Sequence, residues 1–126
     1  MTAAPRALTA AEAGVLAALL TVDFPGVEAL REQARTVRAA PGCECGCGTI
    51  DLHPAGGPPA GVRDRVPVEA TVVGPAGEPV GLLLLFVDDG RLSALEVAPL
   101  GDLPLAMPPP DRVTDVAASD PGAVGR

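Results

Sequence analysis

Three thiols alternate with Glu44 and Gly46 in the run Cys43-Glu44-Cys45-Gly46-Cys47, and the chain's one histidine, His53, follows shortly after. Thiolate and imidazole are the usual ligands of zinc, so Cys43, Cys45, Cys47 and His53 form a candidate metal set. The spacing puts a condition on it. In a straight strand the outer thiols would stand roughly 13 Å apart, at about 3.3 Å per residue. The sulfurs around one zinc ion lie within about 4 Å of each other. One ion therefore requires the segment to curl, which its flanking and internal glycines permit. The spacing also departs from the C-x2-C knuckle, and no second cysteine pair follows downstream. A second reading is thiol redox chemistry, through formation and exchange of a strained disulfide. No cation flanks these thiols, and Glu44 raises rather than lowers a neighbouring thiol pKa. A third reading makes the cysteines packing or loop residues of a Gly-rich turn. The residues leave all three open.

Other chemistry is sparse. Asp51 and His53 fall on one face of the short alternating strand Thr49 to His53, where both read as outward polar residues. A histidine acting as general base needs a nucleophile and an orienting group beside it, and no such constellation is read, so no catalytic residue is assigned. The chain has no P-loop, no Gly-rich dinucleotide fingerprint after a strand and no paired-His helix motif.

The elements that must position these residues centre on Val80 to Ala98, VGLLLLFVDDGRLSALEVA. Asp89-Gly90 between two apolar runs predicts a hairpin with a turn of the primed type. The run Leu82 to Val87 does not alternate, which predicts a strand covered on both faces. The return strand, Arg91 to Ala98, breaks the period of two, which points to a bulge or a half-covered position, and its Glu96 reads as solvent-facing. Upstream, Thr9-Ala10-Ala11-Glu12 fits a capping box, opening a helix to about Leu20 with Val15, Leu16, Leu19 and Leu20 as its apolar stripe. Asp23-Phe24-Pro25 breaks the chain. A second helix, with Pro25 in its first turn, then runs to about Arg38. Val27, Leu30, Ala34 and Val37 line its inner face, and Glu28, Arg31, Glu32, Arg35 and Arg38 its solvated one.

Val66 to Val73 reads as a further strand. Residues 54–65, PAGGPPAGVRDR, read as a mobile loop with Val62 as its sole apolar anchor. The five prolines of Pro99 to Pro110 exclude helix and inner strand. That segment is expected to run extended along the sheet, anchored by Leu100, Leu103, Leu105 and Met107. The predicted architecture is α+β, with two N-terminal helices packed on a four-stranded, mainly antiparallel sheet. A single domain is expected over 8–110 and a disordered tail over 111–126. The second face of the leucine-rich strand is expected to be covered by the Pro-rich segment or by a second protomer.

Composition narrows the classes of function. At 126 residues and a net charge of −7, the chain is long enough for one core and poorly matched to phosphate backbones. With two Phe, no Tyr and no Trp, that core must rest on Leu, Val and Ala. No apolar run approaches the length of about 18 residues that a membrane helix needs. The stretch Val15 to Leu20 reads as helix rather than signal peptide. An odd number of cysteines does not make a disulfide framework, which points to a reducing cytoplasm.

The cysteine run before a short strand, together with Asp89-Gly90-Arg91-Leu92-Ser93-Ala94-Leu95-Glu96-Val97 further on, resembles a group of small proteins of high-GC bacteria whose function is not assigned. The all-arginine basic set and the 15 Gly and 15 Pro fit such a coding bias. The resemblance spans roughly residues 8 to 110 and implies that the cysteines are a shared feature. It carries over no catalytic residue. Two functions are expected from these observations. One is a small cytosolic, non-enzymatic interaction or accessory module that binds a protein partner or itself through the leucine-rich sheet. The other is a zinc-binding or redox-responsive protein using Cys43, Cys45 and Cys47, with His53 as a further ligand.

Overall fold

The computed structural model describes residues 4–42 and 48–119. Two helices and seven strands follow one another as β1 (Arg6–Ala7), α1 (Ala10–Leu19), α2 (Val27–Ala34), β2 (Arg38–Pro41), β3 (Ile50–His53), β4 (Val68–Val73), β5 (Pro79–Asp88), β6 (Arg91–Pro99) and β7 (Val113–Ala118), with a 3-10 turn at Pro110–Arg112 before the last. The strands form one sheet in the order β1-β2-β3-β6-β5-β4-β7, every neighbouring pair antiparallel. The α+β class holds, but the sheet has seven strands among the described residues rather than four.

The hairpin β5–β6 stands at the middle of the sheet. Asp88 pairs with Arg91 across the turn, and Asp89 and Gly90 have φ of 52° and 75°. Positive φ at both central residues is the requirement of the primed turn that matches strand twist. The bulge expected in the return strand is present: the register slips between Phe86 and Val87, so that Leu92 and Leu95 both face the core with Ser93 and Ala94 between them.

α1 begins as its sequence dictates. Thr9 Oγ1 accepts the Glu12 N–H at 3.1 Å, and Glu12 Oε1 accepts the Thr9 N–H at 2.9 Å. The second helix is shorter than expected. Gly26, at φ 92°, is its N-cap, so Pro25 precedes the helix instead of lying in its first turn. After Ala34 the chain turns, and residues 38–41 pair with β3. Helical periodicity read through Val37 hid this strand, because Arg-Ala-Ala-Pro has little strand propensity of its own. β1, two residues long, is too short to show a pattern.

The expectation of a disordered tail from residue 111 also needs correction. Val113–Ala118 pairs with β4, and Val113, Val116 and Ala118 pack on the core. Asp115, at φ 54°, sits where the register slips opposite Glu69 and Thr71. Val113 and Val116 therefore both turn inward at a spacing of three, which defeats a test for alternation. Residues 120–126 lie outside the described part.

One face of the sheet is buried. Leu83, Leu85 and Leu95 are at 0% exposure and join Val15, Leu19 and Leu30 of the helices in one cluster. The Pro-rich segment covers another part of this same face. Leu105 and Met107 pack against the core, Gly48 donates its N–H to the Leu105 carbonyl at 2.9 Å, and Pro110 lies against Gly14 of α1. Of the four expected anchors, Leu105 and Met107 serve, whereas Leu100 and Leu103 are 59% and 79% exposed.

The loop 54–65 is pinned rather than free. Ala60 is buried in the core cluster and the expected anchor Val62 packs against it, and backbone bonds add to these: Ala60 donates to the Gly90 carbonyl at 2.8 Å and Val87 to that of Arg65 at 2.8 Å. Gln33 Nε2 donates to Pro58 O at 2.8 Å.

Candidate functional site: the open face of the sheet

The second face of the sheet has no covering layer among the described residues. Along β5 the even positions Leu82, Leu84 and Phe86 are half-buried, while Leu83, Leu85 and Val87 between them are buried. Leu82, Leu84 and Phe86 also stand outside the core cluster. The leucine run therefore alternates in space although not in residue type, and among the described residues only one of its faces is covered. Four leucines in succession read as doubly buried because hydrophobicity alone cannot report which face is wet. The Pro-rich segment lies on the helix side and does not supply the missing cover.

Register fixes what surrounds this ridge, since residues paired across antiparallel strands point to the same face. Leu82 lies between Thr71 of β4 and Ala98 of β6, and Leu84 between Glu69 and Glu96. Phe86 pairs with Ala94, which in turn pairs with Asp51 of β3. The carboxylates of Glu69 and Glu96 make no hydrogen bond or ion pair among the described residues. Arg65 occupies the Phe86 end of the ridge. Its guanidinium carbon lies 5.0 Å from the ring centroid, and its Nε and Nη2 donate to Asp88 Oδ1 and Oδ2 at 2.7 and 3.3 Å. The bonds from Arg65 hold the Asp88 carboxyl below its ordinary value, and the Ser93 hydroxyl adds to the effect.

His53 is exposed at the end of β3, opposite Arg38 of β2. Together with Asp51, Asp88, Arg91 and Ser93 it borders a shallow depression of about 450 Å³. Its ring has no hydrogen-bond partner among the described residues. No group of three or more metal-ligating side chains occurs among the described residues. Cys43, Cys45 and Cys47 lie outside the described residues, but their anchors are defined: Gly42 donates its N–H to the Thr49 carbonyl at 3.1 Å, and Pro41 pairs with Ile50. The cysteine segment thus leaves and re-enters the sheet at bonded neighbours. His53 sits at the other end of β3, roughly 10 Å along the strand from Ile50 at about 3.3 Å per residue.

The residue that sequence reasoning missed is Gln33, at 0% exposure. Its Nε2 donates to Pro58 O and to Gly90 O, both at 2.8 Å, and its Oε1 accepts the Leu92 N–H at 2.8 Å. One amide thereby fixes α2, the 54–65 loop and the central turn together. The signal was present in the spacing, because Gln33 follows Leu30 by three and precedes Val37 by four on the inner stripe.

No helix among the described residues is long and apolar enough to cross a membrane. Comparison with family models, curated proteins and solved structures finds no match to this chain.

Proposed function

We propose that this protein is a non-enzymatic interaction module of a reducing cytoplasm, and that it engages a protein partner through the open face of the hairpin β5–β6. The observation that carries the reading is the ridge Leu82, Leu84 and Phe86 at the centre of the sheet, half-buried and without a covering layer among the described residues. A contiguous apolar patch framed by polar residues is the usual mark of a contact surface. Photo-crosslinking tests it: a benzophenone side chain is placed at position 84 and, as control, at the exposed position 103. A crosslinked adduct of discrete mass at 84 and none at 103 is the expected result. No adduct at 84, or the same adduct at both positions, removes the reading.

One observation favours a second reading, in which Cys43, Cys45 and Cys47 bind zinc. The bond between Gly42 and Thr49 brings the two flanks of the cysteine segment together, and the ligands of a single ion must themselves lie close to one another. His53, displaced along β3, is the weakest member of that ligand set. Native mass spectra before and after a chelator test it. A mass excess of one zinc that the chelator removes, and that Cys→Ser substitution at all three positions abolishes, is the outcome this reading requires.

A further inference from the structure

We infer that the occupant of the open face is an amphipathic helix with Arg or Lys on both flanks of its apolar stripe. The inference rests on the interaction reading above and gives the partner its chemistry. Glu69 and Glu96 are the register neighbours of Leu84 on either side. Two strand spacings of about 4.8 Å place their backbones roughly 10 Å apart, which matches the width of a helix, about 10–12 Å. A helix lying along β5 sets its stripe on Leu82, Leu84 and Phe86, a ridge roughly 14 Å long at about 3.4 Å per residue. That is nine or so helical residues at about 1.5 Å each. Its two flanks then stand over Glu69 and Glu96, which have no ion-pair partner among the described residues. The Arg65 guanidinium at the Phe86 end is already matched by Asp88 and adds no net repulsion.

The same geometry disfavours a second copy. Aligned packing of two such sheets about a two-fold axis through Leu84, along or across β5, places Glu69 opposite Glu96 or Glu69 of the other chain. Like charges brought face to face oppose association. Anionic lipid surfaces and nucleic acids meet the same two carboxylates.

The test uses the whole chain and three labelled synthetic helices followed by fluorescence anisotropy. One has an apolar stripe flanked by Arg and Lys, one has the same stripe flanked by Glu, and one is a scrambled sequence of the first helix's composition. The expected result is binding of the first alone, weakened by added salt. Glu69→Gln with Glu96→Gln is expected to weaken it by roughly fivefold or more, at the usual worth of surface ion pairs. Removing the same charge from the outer face of α2, by Glu28→Gln with Glu32→Gln, is expected to leave it unchanged. Equal binding of the scrambled or Glu-flanked helix overturns the inference. So does an equal response to the two double substitutions, or a dimer in native mass spectra that Leu84→Ser dissociates. If the helices fail while position 84 still gives a discrete crosslink, the inference falls and the interaction reading stands. Loss of the crosslink removes both.

Discussion

Gln33 occupies a position where its helix stripe calls for a hydrophobe, and it is fully buried. The amide satisfies two carbonyls and one N–H from segments far apart in the chain. Replacing it with leucine roughly keeps the volume and removes all three bonds; Gly90 O retains the Ala60 N–H, so Pro58 O and the Leu92 N–H are the groups that lose their partner. Buried polar groups left unpaired cost about 1–3 kcal/mol each, so Gln33→Leu is expected to lower stability by roughly 2–4 kcal/mol in urea unfolding. A change within about 0.5 kcal/mol would show that water replaces the amide without penalty.

Glu12 is the second buried polar residue, at 6% exposure. Arg6 Nη1 and Nη2 donate to its two oxygens at 2.8 and 2.9 Å. Those bonds chiefly, and the Thr9 N–H after them, hold its carboxyl below the ordinary value of 4.5 in spite of burial. A folded-state pKa lowered in this way contributes stability above pH 4.5 and loses it as pH falls through the lowered value. Glu12→Gln is therefore expected to be less stable than the parent at pH 7, with the gap narrowing as pH falls below 4.5. A gap that stays constant between pH 7 and pH 3 would exclude an ionic origin.

At the scale of the elements, β5 offers an internal comparison between adjacent leucines. Leu83 is at 0% exposure within the core, so Leu83→Ala leaves a cavity and is expected to cost about 2–5 kcal/mol. Leu84 faces the open side, and Leu84→Ala is expected to cost at most about 1 kcal/mol. Equal losses would mean that the second face is covered in solution. The Pro-rich segment can be probed at Gly48, where a Cβ would overlap the Met107 backbone. Because backbone must move to admit it, Gly48→Ala is expected to cost roughly 1–3 kcal/mol, seen as a lower Tm. These contrasts depend on which side of the sheet a residue faces, and the unbroken run of leucines did not show that.

For the molecule as a whole, β7 closes the sheet beside β4 and brings Val113, Val116 and Ala118 onto the core. A chain ending at Pro110 leaves the edge of β4 unpaired and the core uncovered beside α1. Exposed strand edges template association, so the shortened chain is expected to lose its cooperative thermal transition or to aggregate on heating. An unchanged Tm would show that the strand is dispensable.

The capping box at Thr9, the hairpin turn at Asp89-Gly90, the bulge after Phe86 and the α+β class were legible in the chain. Each is decided by neighbours within a few residues, where side-chain chemistry and φ preference act directly. β2 and β7 were not legible, because Arg-Ala-Ala-Pro and Val-Thr-Asp-Val-Ala-Ala become strands only when β3 and β4 supply their backbone partners. The role of Gln33 depends on carbonyls brought in from residues 58 and 90. The open ridge between Glu69 and Glu96 depends on a register that joins three strands. Local sequence thus determined where the chain turns and caps. Tertiary pairing decided which residues share a face, and with it the surface offered to a partner.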